Sequence, residues 1–176
     1  TLLGQNVNSF NWLPEGERKP VRFWDLLEMV AEVDPLVRIR FTTSHPKDLN
    51  DELMRCFAEI DILCPHFHLP VQSGSNAVLK RMNRKYSVEQ YLDKVAALRG
   101  YRPDIALATD IIVGFPGESE ADFAATMALL NTVRFHGSFS FKYSDRPHTR
   151  SAEFSYKIPE EVKARRLQLF QSRQDE

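Results

Sequence analysis

Residues Ile105-Ala106-Leu107-Ala108-Thr109-Asp110-Ile111-Ile112-Val113 form a nearly all-apolar run. A strand covered on both faces has this composition, and such strands belong to parallel sheets flanked by helices. On its C-terminal side, Phe115 to Ser119 reads as a turn. Glu120 to Val133 follows as a helix, with Phe123, Met127, Leu130 and Val133 on one face. Gly137 to Tyr143 is a strand, Ser144 to Lys157 a long loop, and Pro159 opens a last charged helix.

The same alternation runs back toward the start. Ser87 caps a helix over Val88 to Leu98, whose stripe is Val88, Tyr91, Leu92, Val95 and Leu98. Asn76 to Met82 is a short helix and His66 to Gln72 a strand. Asp48 to Ile60 is a helix carrying Leu49, Leu53, Phe57 and Ile60, and Val37 to Thr42 an alternating strand. Val21 to Val33 is a helix ended before Pro35, Asn6 to Pro20 a loop, and Thr1 to Gln5 a short strand. Five strands separated by helices imply a parallel sheet with its helices outside. A closed eight-fold barrel needs about 250 residues. The chain has 176, so an open sheet, a partial barrel or a truncated one is expected.

Composition narrows the class. Hydrophobic residues make up 43% and charged residues 27%, as in a globular domain with a real core. The net charge of -1 means that any contact with nucleic acid must come from local basic clusters. No apolar run approaches the roughly 20 residues of a membrane span, and no basic start marks a signal peptide. Two cysteines, Cys56 and Cys64, are too few for a disulfide scaffold, which points to a reducing, cytoplasmic setting. Thr1 lacks a preceding methionine and the last residues lie within a helical pattern. A fragment of a longer protein is expected.

In such folds the chemistry gathers where strands end. These ends read Gln5-Asn6-Val7-Asn8-Ser9, Thr42-Thr43-Ser44-His45, Gln72-Ser73-Gly74-Ser75, Gly114-Phe115-Pro116-Gly117-Glu118 and Lys142-Tyr143-Ser144-Asp145-Arg146. Amides and hydroxyls outnumber charges, a set suited to holding a polar organic cofactor; loop ends are also polar for solvation alone. Asp110 interrupts an apolar strand and must be paired, hydrogen-bonded or functional. Gly114 and Gly117 permit a tight turn or close approach of a ligand.

His66 and His68 share one strand face, but they sit at the start of the strand, so packing is the better reading than a metal site. Cys56 and Cys64 match no zinc or iron–sulfur spacing. Lys80-Arg81 with Arg84-Lys85, and Lys142, Arg146 and Arg150, are basic clusters. Arg84 is placed to reach a carboxylate, or belongs to a solvated helix face. Lys163, Arg165 and Arg166 read as surface charge.

Five motifs in order carry a resemblance: LGQNVNS (residues 3–9), FTTSHP (41–46), HLPVQSGS (68–75), TDIIVGFPGE (109–118) and FKYSxRP (141–147). Over essentially its whole length the chain resembles the MiaB-type methylthiotransferases of the radical S-adenosylmethionine superfamily, and the first motif favours the tRNA-modifying branch. The resemblance implies an α/β fold, a truncated partial TIM-type (β/α)6 barrel of parallel strands with outer helices. Residues 1–157 would be that barrel without its first strand and cluster loop. Residues 158–176 would be a helix leading toward a tRNA-binding β-domain.

It implies S-adenosylmethionine and [4Fe-4S] clusters as cofactors, with tRNA and a sulfur donor as partners. The activity implied is addition of a methylthio group to C2 of isopentenylated adenosine next to the anticodon. Gln5, Asn6, Gln72, Ser73, Arg84, Asp110 and Gly114 fall where cofactor contacts are expected: Gln72 and Ser73 for ribose and methionine, Gln5 and Asn6 for the methionine end, Arg84 for its carboxylate, and the TDIIVGFPGE segment (109–118), with Asp110 and Gly114, near the adenine. No C-x3-C-x2-C is present in this chain, and His148 stands where the family has glycine. The chain by itself is therefore expected to be inactive. The alternatives are a metal-dependent barrel hydrolase using His66, His68 and Asp110, and a non-catalytic domain that cradles a nucleotide.

Overall fold

A computed structural model describes residues 1–34, 38–42 and 45–175. It shows an α/β fold with parallel strand pairing, in two compact units: Thr1–Pro70 with Asp93–Leu107, and Val71–Leu92 with Ala108–Glu176.

In the first unit the extended segments pair sparingly. Leu2 bridges Phe41 and Ile39 bridges Leu63, both in parallel. The Leu2 N–H donates to Arg40 O at 2.7 Å and the Ile39 N–H to Ile62 O at 2.7 Å. The expected strand Thr1–Gln5 is thus reduced to one bridge, and the expected strand Val37–Thr42 to two alternate residues; Val37 lies outside the described residues. The chain leaves the sheet after Leu2 because Asn8 ties a 3₁₀ turn, Val7–Ser9, to the loop at His45. Its Nδ2 donates to His45 O and its Oδ1 accepts from the His45 N–H, each at 3.2 Å.

The expected loop Asn6–Pro20 instead holds a strand, β1 (Asn11–Trp12), antiparallel to β2 (Val21–Arg22). Helix α1 (Phe23–Ala31) therefore starts two residues later than its periodicity predicts. The Arg22 N–H is capped there by Asp25 at 2.7 Å. Helix α2 (Asp51–Glu59) begins at Asn50, whose Oδ1 accepts the Leu53 N–H at 3.1 Å. Strand β3 (His66–His68) follows.

Phe23, Phe41, Phe57 and Phe67 form the core of this unit. Ring centroids lie 4.9 to 5.8 Å apart and Phe41 touches the other three. Edge-on aromatic packing of this kind adds to the burial of the rings.

The second unit contains helix α3 (Asn76–Arg81), strand β5 (Gly137–Lys142), helix α5 (Glu120–Val133) and helix α6 (Glu160–Asp175). Helix α4 (Val88–Tyr101) and strand β4 (Ala106–Val113) each contribute residues to both units. β4 and β5 pair in parallel from Ala108↔Gly137 to Val113↔Lys142. Ser119 caps α5 reciprocally with Asp122.

β3 is shorter than the expected His66–Gln72. Pro70 has no N–H to give a ladder, and the Val71 N–H donates to the Thr109 hydroxyl at 3.0 Å. Pairing with β4 resumes at Gln72, whose N–H donates to Asp110 O at 2.9 Å and whose carbonyl accepts the Ile112 N–H at 3.0 Å. Among the described residues no helix is long and apolar enough to cross a membrane.

Candidate functional site

Alternation along β4 separates two surfaces. Thr109 and Ile111 are buried, whereas Asp110 and Ile112 are only half-buried. The strand is therefore not covered on both faces along its whole length, as its composition predicts. Parallel register aligns Asp110 with Phe139 and Ile112 with Phe141, so these four share the more open face. The opposite face of β5 meets α6, where Gln171 Nε2 donates to Ser140 Oγ at 3.2 Å.

Beside that open face is a cavity of about 580 Å³ lined in part by Gln72, Arg84, Ile112 and Phe115. Lys80, Arg81 and Arg150 also line it, with Phe154 from the long loop after β5. Gln72 takes φ of 75°, the left-handed region that a non-glycine side chain enters at a cost of about 1–3 kcal/mol. Its two backbone groups are held by β4, so the strain is fixed where the side chain meets the cavity.

The next three residues bind the loop to α5. Gly74 N–H donates to Thr126 Oγ1 at 3.0 Å, and Ser73 Oγ lies 3.4 Å from the same hydroxyl. Ser73 is completely buried and also accepts the Ser75 N–H at 3.2 Å. A Cβ on Gly74 would stand 2.6 Å from Ala125 O and Thr126 Cα, so only glycine lets the loop approach the helix this closely.

Phe115 is set by the turn after β4. Gly114 has φ of 72°, and a Cβ there would lie 2.2 Å from Lys163 Cγ. Its N–H donates to Glu118 Oε2 at 2.8 Å. Glu118 is paired in turn with Arg166 of α6 at 2.7 Å, and Arg166 also donates to Glu118 O at 3.1 Å and to Glu120 at 2.9 Å. Burial pushes the Glu118 carboxyl up, against the opposing effect of the Gly114 N–H and the Arg166 charge.

Arg166 is 3% exposed. The reading of Arg166 as surface charge is therefore corrected: its guanidinium fastens α6 to the turn. Arg165 is exposed as expected. The Phe115 ring packs edge-on against Tyr143 at 5.0 Å and Phe154 at 6.2 Å.

Of the seven expected cofactor residues, Gln72 and Arg84 line the cavity and Asp110 shares a face with the lining residue Ile112. Ser73 and Gly114 belong to the same unit, but the Ser73 hydroxyl and the Gly114 N–H face internal partners. Gln5 and Asn6 belong to the first unit: Gln5 is exposed, and Asn6 Nδ2 donates to Asp48 at 2.7 Å.

Sequence reasoning missed the Glu118–Arg166 pair and Phe154 of the cavity wall, and noted Arg150 only as a member of a basic cluster. A buried arginine in a charged helix leaves no trace in periodicity. Phe154 was readable as one of the few apolar residues of a polar loop.

Cys56 is buried and its thiol donates to Glu52 O at 3.3 Å. Burial pushes this thiol up to about 11, which disfavours the thiolate that a metal needs. Among the described residues no three His, Cys, Asp or Glu side chains come close enough to hold a metal ion. The geometry required by a His66/His68/Asp110 hydrolase is absent there.

Residues 16–130 match the Radical SAM superfamily. The chain is 60% identical, over all of its length, to a tRNA-2-methylthio-N(6)-dimethylallyladenosine synthase of Desulfotalea psychrophila, of which it covers 40%. It is 54% identical over 97% of its length to the protein of the same name from Syntrophobacter fumaroxidans, covering 37% of it. With the one from Geobacter sulfurreducens it shares 53% identity over 100% of its length and 39% of the relative. The chain thus spans about two fifths of these curated relatives.

Proposed function

Because the chain belongs to the radical SAM superfamily, we propose that it forms part of the catalytic domain of a tRNA methylthiotransferase, with S-adenosylmethionine held in the cavity of the second unit. The reaction is addition of a methylthio group to C2 of an isopentenylated adenosine beside the anticodon. The names of the similar proteins support this reading. In the whole protein residues 1–157 serve as a partial (β/α)6 barrel and residues 158–176 lead toward a tRNA-binding β-domain. tRNA and a sulfur donor are its partners and the cytoplasm its setting.

The observation that carries the cofactor assignment is the mixed lining of one cavity by Gln72, Arg84, Ile112 and Phe115. Ile112 and Phe115 offer apolar surface to a flat heteroaromatic ring, Gln72 an amide to hydroxyls, and Arg84 a fork for a carboxylate. S-adenosylmethionine bound there supplies a sulfonium whose carbon–sulfur bond is the family's source of radicals. Asp110 presents a carboxylate on the face shared with Ile112. Ser73 and Gly114 act by holding the two loops in shape, while Gln5 and Asn6 are assigned to the methionine end. Cys56 and Cys64 do not fit an iron–sulfur cluster, since two cysteines, one with a buried protonated thiol, are not a three-thiolate set.

The test is calorimetric titration of the full-length protein with S-adenosylhomocysteine. Binding is expected, and Gln72→Ala should weaken it by about tenfold, the loss of roughly one charge-free hydrogen bond. Unchanged affinity in Gln72→Ala removes the cavity from the cofactor site. A full-length enzyme that leaves isopentenylated tRNA unmethylthiolated under reducing conditions, read by mass spectrometry of the nucleosides, defeats the activity.

A further inference from the structure

We infer that Lys80 and Arg150 hold a phosphate of the substrate RNA backbone at the rim of this cavity, an inference that rests on reading the cavity as the cofactor site. Four cationic side chains line it (Lys80, Arg81, Arg84 and Arg150) and no carboxylate does. The proposed cofactor cannot account for them. S-adenosylmethionine carries a sulfonium, an ammonium and one carboxylate, so its net charge is positive and it presents a single anionic group. Arg84 answers that group. Arg81 is occupied elsewhere, donating to Gly117 O at 3.0 Å and pairing with Asp122 at 3.5 Å.

Lys80 and Arg150 remain. Both are exposed, and neither side chain has a hydrogen-bond or ion-pair partner among the described residues. Lys80 lies in the last turn of α3, where a cation also suits the helix terminus. Arg150 opens the 3₁₀ turn Arg150–Glu153, where it has no such use. Converging like charges repel unless a polyanion meets them. With a net charge of -1 on the whole chain, this concentration is local, as expected of a nucleic-acid footprint. A backbone phosphate beside the target nucleoside supplies the missing anion, and arginine can grip it with two parallel hydrogen bonds.

The experiment measures tRNA affinity of the full-length enzyme against salt, for the native protein, Lys80→Gln/Arg150→Gln, and the charge-preserving Lys80→Arg/Arg150→Lys. S-adenosylhomocysteine titration runs in parallel. In the charge-neutral double variant, tRNA affinity at low salt should fall about tenfold or more. The slope of log affinity against log salt should flatten by about 1 to 2. The charge-preserving variant should keep most of the slope, and S-adenosylhomocysteine should bind all three proteins equally. Unchanged tRNA affinity and slope overturn the inference, as does a loss confined to S-adenosylhomocysteine, which would make the two cations cofactor ligands. Failure of the cofactor reading shows separately, as native enzyme that does not bind S-adenosylhomocysteine while the tRNA slope still responds to the charges.

Discussion

Arg166 shows how much one side chain can settle. It is buried with Glu118, and that carboxylate also accepts the Gly114 N–H. Removing one partner of such a pair strands a buried charge, at a cost of about 3–5 kcal/mol. Arg166→Ala should lose stability of that order in urea denaturation, and Arg166→Met/Glu118→Gln should recover part of it, because glutamine can still accept from Gly114. An equal loss in both variants would show that the guanidinium matters only for packing. Cys56 makes a second test at this scale. With its thiol pushed up to about 11 by burial, Cys56 should resist alkylation by iodoacetamide at pH 8 in the folded protein and react on unfolding, as mass mapping of the peptides can show. Rapid labelling of native Cys56 would contradict the burial.

Among the elements, the joint between β5 and α6 has a defined pH dependence. Glu160 is bonded to Lys142 at the end of β5 and to Lys163 at 2.8 Å. The Lys142 hydrogen bond, then that of Lys163, holds the Glu160 carboxyl down at about 2, against an ordinary 4.5. A folded-state value below the unfolded one means that the unfolded chain takes up the proton first as pH falls. The stabilisation is therefore complete above about pH 4.5 and is lost between there and about pH 2. Glu160→Gln should flatten this part of the stability profile, and carbon NMR of the Glu160 carboxyl should show a midpoint near 2 that rises in Lys142→Met. A midpoint in the ordinary range would place α6 differently against β5. The same elements show where periodicity succeeds and fails: α5 begins where its apolar spacing predicts because Ser119 and Asp122 cap it reciprocally, and ends at Val133 where Arg134 turns left-handed, whereas β3 stops early because a proline and a threonine hydroxyl divert its ladder.

At the scale of the whole molecule, the first unit is tested through its packed rings. Phe57→Ala removes a ring fully buried between Phe41 and Phe67 and should cost about 3–5 kcal/mol in thermal or urea unfolding; a loss below 1 kcal/mol would mean that the four rings do not pack as described. The sequence by itself determined the parallel α/β order, the helix faces and the strand-end motifs, because apolar spacing, capping residues and glycine-bearing turns act over a few neighbouring residues. Of the residues it singled out as cofactor contacts, Gln72 and Arg84 line the cavity. Tertiary structure alone decided that Ser73 turns inward to Thr126, that Arg150 and Phe154 complete the cavity wall, and that Arg166 is internal. These outcomes depend on which distant segments meet. A serine, a phenylalanine in a polar loop or an arginine in a charged helix carries no local pattern that says which partner will remove it from water.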